Sequence, residues 1–177
     1  MTSWRRFAGA VLALTLGCRA AADSAAAGEF EADWVGADTG MLRATPRAVW
    51  CPAGRLLYLN AVRGDNGLGL VIYPADTLEP GAYPAFAPGA DTVPRPSVAG
   101  SVRWFSQTAL KGLRSDSGAL TLERGGAPFS AAFEFRLVGA GGRDTVRLAG
   151  RFRGVRPESD SGSCPADSSA AEGTPIR

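Results

Sequence analysis

Short segments in which apolar and polar side chains alternate are the feature that most constrains how this chain can fold. In "EFEADW", residues 29–34, the apolar side chains fall on one face and the acidic side chains on the other. The same alternation recurs in "FSAAFEFRL", residues 129–137, and in "TVRLAGRFR", residues 145–153. A repeat of two residues is that of a β-strand with one buried face and one face in water.

Turn residues separate the alternating segments at short intervals. Residues 64–67, Gly-Asp-Asn-Gly, lie between two apolar segments and carry the chemistry of a β-hairpin turn. Inward-facing glycines at positions 100 and 150 favour a sheet that curls. We therefore expect a single all-β domain, an antiparallel small barrel or strongly coiled sandwich of about seven to nine strands, with no helix of more than two turns.

The alternation also predicts which side chains form the core. Phe133, Phe135, Leu148 and Phe152 all fall on inward faces. Trp34, Trp104 and Phe133 would line a cavity if the domain were a small-ligand carrier. Small barrels are usually filled by their side chains, which favours a packed interior over such a cavity.

The N-terminus has the composition of an export signal. Arg5 and Arg6 precede an uncharged stretch, residues 7–16, which as a helix would rise only about 15 Å, half of a bilayer core. A secretory signal is therefore expected rather than a membrane span. The segment Leu14-Thr15-Leu16-Gly17-Cys18 resembles the lipobox of bacterial lipoproteins.

This resemblance implies that residues 1–17 are a signal peptide and that Cys18 receives a diacylglycerol, which anchors the protein to a membrane of the cell envelope. Arg19 stands where an aspartate would imply retention at the inner membrane, so the outer membrane is expected if the host has one. Ordinary cleavage at the Ala-x-Ala site of residues 20–22 is the alternative, and it would give a secreted or periplasmic soluble protein.

Composition outlines the rest of the chain. Residues 18–28 are small and featureless, which predicts a flexible tether after the lipidated cysteine. The β domain is expected over 29–156, and residues 157–177 predict a low-complexity tail. Between strands, residues 74–96 contain six prolines. This segment is expected to be irregular, with a short edge strand at "GAYPAF", and to serve either as a binding loop or as a rigid crossing.

The cysteines predict one disulfide. If lipidation consumes Cys18, the other two of the three cysteines, Cys51 and Cys164, remain as an even pair in an exported chain. A bridge between them would hold the start of the tail against the end of a strand. Two free thiols are the alternative.

Several function classes are disfavoured by composition. The chain has no histidine, which removes the usual Ser-His and Cys-His catalytic pairs and most zinc and copper sites. Positive and negative charges are nearly balanced, unlike those of nucleic-acid-binding domains. The strand carboxylates Glu29, Glu31 and Glu134 face outward and are interpreted as solvated. We therefore predict no catalytic residue, no metal ligand, no cofactor and no nucleic-acid partner.

One candidate site is an arginine-rich outer face. Arg147, Arg151 and Arg153 project to one side of a strand, and Arg136 projects to the same side of the preceding strand. Guanidinium groups pair with carboxylates and phosphates, so this arginine face could bind an anionic glycan or a lipid head group. The alternative is a water-facing surface whose charges are balanced by neighbours such as Glu134.

The function favoured by these patterns is that of a lipid-anchored cell-envelope module that binds a partner, an envelope protein or an anionic glycan. Two alternatives remain open, a small-ligand carrier with a barrel cavity and an envelope enzyme with a carboxylate-based site.

Overall fold

The computed structural model describes residues 28–86, 92–106, 109–159 and Cys164. Within these ranges every regular element is a strand, which confirms the all-β prediction, and no helix is long and apolar enough to cross a bilayer. The predicted signal peptide, Cys18 and the end of the tail lie outside the described residues.

Eleven strands follow one another along the described chain. The number exceeds the expected seven to nine because two short strands, β6 and β11, form in segments with little alternation. The strands are β1 Glu29–Gly36, β2 Gly40–Ala44, β3 Pro46–Cys51, β4 Leu56–Arg63, β5 Asn66–Tyr73, β6 Gly81–Pro84, β7 Ser97–Ser106, β8 Ala109–Arg124, β9 Phe129–Gly139, β10 Thr145–Val155 and β11 Glu158–Ser159.

All strands belong to one curled sheet with the order β11-β3-β4-β5-β7-β8-β9-β10-β1-β2, and β6 pairs with β8. Every neighbouring pair is antiparallel except β11 and β3. β2 and β3 lie near opposite ends of this order, yet only Thr45 separates them along the chain. The sheet therefore curls into a half-barrel, which brings the β2 margin and the β3 margin together at Thr45.

The antiparallel pairing gives the half-barrel two distinct ends. The chain turns at residues 37–39, 64–65 and 140–144, and in the step from β7 to β8, at one end, which we call the hairpin end. The opposite end, which we call the terminal end, holds the start of β1, the end of β10 and Cys51. The chain therefore enters the sheet at the start of β1 and leaves β10 at the same end of the half-barrel.

The interior is packed with aromatic and aliphatic side chains. The predicted core residues Phe133, Phe135, Leu148 and Phe152 are all buried, as the alternation predicted. Phe133 packs against three other phenylalanine rings at centroid distances of 5.3–6.3 Å. Gly150 lies beneath this cluster, where an added Cβ would come within 2.5 Å of the Phe133 ring. Glycine at 150 is therefore a packing requirement of the aromatic cluster.

A covalent bond fixes the terminal end. Cys51 and Cys164 form a disulfide across a sequence separation of 113 residues, as expected from the cysteine count. Glu158 and Ser159 belong to the segment predicted as a tail, but they form β11 and pair with β3. The Glu158 carboxylate also accepts two hydrogen bonds from the Arg47 guanidinium. The start of the predicted tail therefore completes one margin of the sheet.

The proline-rich segment packs on the terminal half of the sheet. Its middle forms β6 within the predicted "GAYPAF" stretch, and β6 pairs with β8. Arg95 donates hydrogen bonds to the carbonyl oxygens of Gly54, Arg55 and Pro74 at 2.7–2.9 Å. Its guanidinium also lies over the Tyr73 ring. These contacts fix the described parts of the proline-rich segment to the rest of the domain, as expected of a rigid crossing.

Candidate functional site at the hairpin end

Exposed apolar side chains are concentrated at the hairpin end. Five of the six large apolar side chains that are exposed in the described chain belong to strand residues next to three of the four turns of this end. We call this set, whose members are 50–62% exposed, the apolar rim: Val35, Met41, Val62, Phe105 and Leu110. The sixth, Val93, lies in the proline-rich segment. Exposed apolar surface gathered in one place marks interaction sites more often than scattered exposure does.

A two-stranded projection carries two members of the rim. β7 pairs with β5 only as far as Arg103, and β8 pairs with β9 only from Leu113 onward. Residues 104–106 and 109–112 therefore extend beyond both neighbours, and we call them the β7–β8 arm. Phe105 and Leu110 stand opposite each other on its outer face.

The arm is fastened to each of the other three turns by one polar contact. The Phe105 amide donates to the Asn66 side chain beside the β4–β5 turn at 3.0 Å. The Trp104 indole N–H donates to the Asp38 carboxylate in the β1–β2 turn at 2.8 Å. The Lys111 ammonium lies 3.7 Å from the Asp144 carboxylate in the β9–β10 turn. These three contacts connect the arm to every other turn of the hairpin end and hold it in place there.

A tryptophan of the arm packs on a tryptophan of β1. Trp34 of β1 and Trp104 of β7 stack with their ring centroids 5.2 Å apart, and both are buried. The buried Trp34 indole N–H has no hydrogen-bond partner within the described part of the chain. An added Cβ at Gly40 would come within 2.3 Å of the Trp34 ring, so the β1–β2 turn also closes tightly over this pair.

Asp38 is the charged group closest to this aromatic pair. The hydrogen bond from Trp104 lowers the pKa of the Asp38 carboxyl, and the Thr39 amide and the nearby Lys111 charge lower it further. The sequence indicates Asp38 only as a turn residue, and the indole contact depends on a chain separation of 66 residues. The Asp38 carboxyl group is therefore ionised near neutral pH when it accepts this hydrogen bond.

A surface cavity of about 640 Å³ opens beside these groups. Met41 and Phe105 of the apolar rim line it together with Asp38 and Lys111. The lining of this cavity thus combines exposed apolar side chains with one carboxylate and one ammonium group, a mixture typical of protein interaction surfaces.

Three of the four arginines of the predicted arginine face have carboxylate partners. Arg151 pairs with Glu31 at 2.5 Å, Arg147 with Glu134 at 2.6 Å, and Arg136 with Asp116 at 2.5 Å. Arg153, the fourth, has no ion-pair partner among the described residues. The side chains do share one face, since Arg136 and Arg147 stand opposite each other on β9 and β10. Anion binding at this face stays a prediction, but most of its positive charge is neutralised within the sheet.

Two of the three strand carboxylates, Glu31 and Glu134, are engaged in the same network. Glu31 lies between Arg43 and Arg151, and Glu134 is held by Arg147. A carboxylate-based catalytic site would need at least one of these groups to be free to move a proton.

Comparison with protein-family models, with curated proteins and with solved structures finds no match to this chain. Sequence reasoning placed Trp34 and Trp104 on inward faces but missed the arm and its three fastenings. These depend on which turns meet at one end of the sheet, and no local pattern encodes that.

Proposed function

We propose that this protein is a lipid-anchored cell-envelope module that binds a partner protein through its apolar rim. The observation that carries the proposal is the position of the large exposed apolar side chains: of the six in the described ranges, five lie at the end of the sheet opposite the terminal end. A protein partner is favoured because apolar contacts with a polar border are the usual composition of such interfaces.

The position of the predicted anchor agrees with this use of the rim. The chain enters the sheet at the terminal end, and residues 19–28 can span at most about 35 Å when extended. A ten-residue strand such as β7 is about as long, at about 33 Å. An anchor at Cys18 would hold the terminal end toward the membrane and leave the rim pointing away from it.

The packing of the interior favours this proposal over a small-ligand carrier. Trp34 stacks on Trp104, and Phe133 packs on neighbouring phenylalanine rings, so these three side chains fill the space that a ligand cavity would need. An envelope enzyme has less support, because Glu31 and Glu134 are occupied by arginines.

The anchor is tested by metabolic labelling with a palmitate analogue in the native host. The wild-type protein should take up the label, and Cys18→Ser should not. Equal labelling of the two proteins would exclude a lipid at Cys18.

The rim is tested by photocrosslinking in intact cells of the native host. A photoreactive phenylalanine analogue placed at position 105 should give an adduct of one defined mass, and the same analogue at position 93 should not. Adding Leu110→Asp should remove the adduct without changing the thermal unfolding of the purified protein, because Leu110 is exposed. Adducts of equal yield at both positions would contradict the proposal.

A further inference from the structure

A groove crosses the outer face of the sheet beside the apolar rim. Its volume is about 750 Å³, and it runs over β4, β5, β7, β8 and β9. Four glycines line it and leave much of its floor without side chains: Gly67, Gly69, Gly112 and Gly139. Its exposed polar lining includes Asn60, Ser101, Arg103 and Arg114, and the Asp116 carboxylate lies in the same wall.

The fold does not require a glycine at position 112. Its φ lies outside the left-handed region, and an added Cβ would meet no atom within 4 Å. Glycine within a strand weakens the strand, since it adds conformational entropy to the unfolded chain and offers no side chain to pack. Gly112 therefore keeps the groove open at a small cost to the sheet.

The groove carries positive charge that the described part of the chain does not neutralise. Six arginines elsewhere form ion pairs, but Arg103 and Arg114 have neither an ion pair nor a hydrogen bond among the described residues. Asp116, the carboxylate in the groove wall, is already held by Arg136 and by the Ser117 hydroxyl. The side chains of Asn60 and Ser101 likewise have no hydrogen-bond partner in the described ranges.

We propose that this groove binds an acidic oligosaccharide. Arg103 and Arg114 would pair with its carboxylate or phosphate groups, because planar guanidinium groups match both. Asn60 and Ser101 would bond to its hydroxyl groups. The groove shares only Val62 with the apolar rim, and the proposal does not depend on the protein contact proposed for the rim.

An extended peptide fits the groove less well than a glycan. The strands beneath the groove are paired on both sides except at Val62 and Gly112, which lie beyond the ends of β3 and β9, so an extended peptide would find almost no sheet edge to pair with. A hydroxyl-rich polymer needs only side-chain hydrogen bonds and charge pairing, and the groove offers both.

The test is a binding titration of the detergent-solubilised full chain with four probes. They are tetragalacturonate, its uncharged methyl ester, mannopentaose phosphate and a hexaglutamate peptide. At least one acidic oligosaccharide should bind, more weakly as salt is added, while the methyl ester and the peptide should not. Binding of tetragalacturonate points to carboxylates as the recognised group, and binding of mannopentaose phosphate points to phosphates.

Variants of the groove sharpen the test. Arg103→Gln and Arg114→Gln should each weaken binding by about tenfold, the effect of losing one charge-assisted hydrogen bond. Gly112→Val should abolish binding and leave thermal stability unchanged or higher, which separates a blocked groove from a damaged fold. Arg124→Gln, an exposed arginine on the same strand β8, should bind as the wild type does.

Three results would overturn the proposal. The first is equal binding of the methyl ester or the acidic peptide. The second is unchanged binding by Gly112→Val in a folded protein. The third is a loss of binding in Arg153→Gln without a loss in Arg103→Gln, which would move the site to the arginine face.

Discussion

At the terminal end a disulfide, a short parallel strand and a bidentate arginine hold the chain, whereas at the hairpin end three single polar contacts hold the β7–β8 arm. The terminal end also has Arg95 bonded to three carbonyl groups of two neighbouring segments. Exposed apolar side chains follow the opposite distribution and gather at the hairpin end. The disulfide and the multiple hydrogen bonds of arginine thus lie at one end of the sheet, and the exposed apolar surface lies at the other.

A single sheet can in this way separate the contacts that stabilise the fold from the surface that is exposed for recognition. A surface that exposes apolar side chains gains little stability from them, since apolar groups stabilise a fold only when they leave water. The fold must be secured elsewhere, and the crosslink spanning 113 residues does so at the far end. The hairpin end is then free to keep an open cavity and an outer groove.

The largest test of this comparison concerns the interior that lies between the two ends. Phe133→Ala should lower the free energy of unfolding by about 3–5 kcal/mol, because a buried ring in an aromatic cluster leaves a cavity. The matched variant Phe105→Ala removes an exposed ring of the rim and should change it by no more than about 0.5 kcal/mol. Urea unfolding measures both, and a loss below about 1 kcal/mol for Phe133→Ala would mean that the interior is not packed as described.

The second test removes the crosslink of the terminal end. Cys51→Ala combined with Cys164→Ala should lower the free energy of unfolding by about 3–4 kcal/mol, because the bridge closes a long loop in the unfolded chain. Reducing the wild-type protein should give the same loss. Before reduction a mass-tagged maleimide should find neither of these two cysteines in denatured protein, and two tags there would contradict the bridge.

The third test weakens the terminal end without touching the disulfide. Arg95→Gln should cost about 1 kcal/mol, since three hydrogen bonds to carbonyl groups are lost from a side chain that is partly in water. Amide exchange should quicken at the β3–β4 turn and stay unchanged at the β7–β8 arm. Arg124→Gln is the control and should alter neither region, and quickening at the arm would show that the two ends are coupled.

The smallest test addresses the hairpin end through pH. The Asp38 pKa lies below its ordinary value when the protein is folded, so its contribution to stability is present above about pH 3.9, the unfolded value. That contribution is lost as the pH falls through the lower folded pKa. The NMR signal of the Trp104 indole N–H should stay constant from neutral pH to about 4 and move below it.

Two variants identify the group behind that movement. Asp38→Asn should remove the acid step, whereas Asp65→Asn, in the neighbouring turn, should leave it in place. An indole signal that moves equally in both variants would mean that Asp38 does not fasten the arm.

The faces of the strands were predictable from the sequence, and their order in the sheet was not. Alternation identified Phe133, Phe135, Leu148 and Phe152 as core residues because side-chain direction repeats every two residues whatever the partner strand. The position of β6 against β8 depends on a long crossing with six prolines, and the pairing of β11 with β3 involves only two residues. Neither leaves a periodic pattern.

The candidate sites follow the same division. The sequence placed four arginines on one face, and Arg136 and Arg147 do lie side by side there. It did not reveal that Asp116 and Glu31 would neutralise Arg136 and Arg151, because such pairs depend on strand register. The groove was missed as well. Its floor is formed by glycines from neighbouring strands, and their alignment depends on strand register.

The pairing of β1 with β10 has a kinetic consequence. Arg151 and Glu31, which meet across these strands, are separated by 120 residues of chain. Sheets built on such distant pairings fold slowly, because a large loop must close before its contacts form. The first strand has no complete set of neighbours until the last long strand has been made. During synthesis β1 can pair only with β2, and it gains its second neighbour only after β10 has left the ribosome.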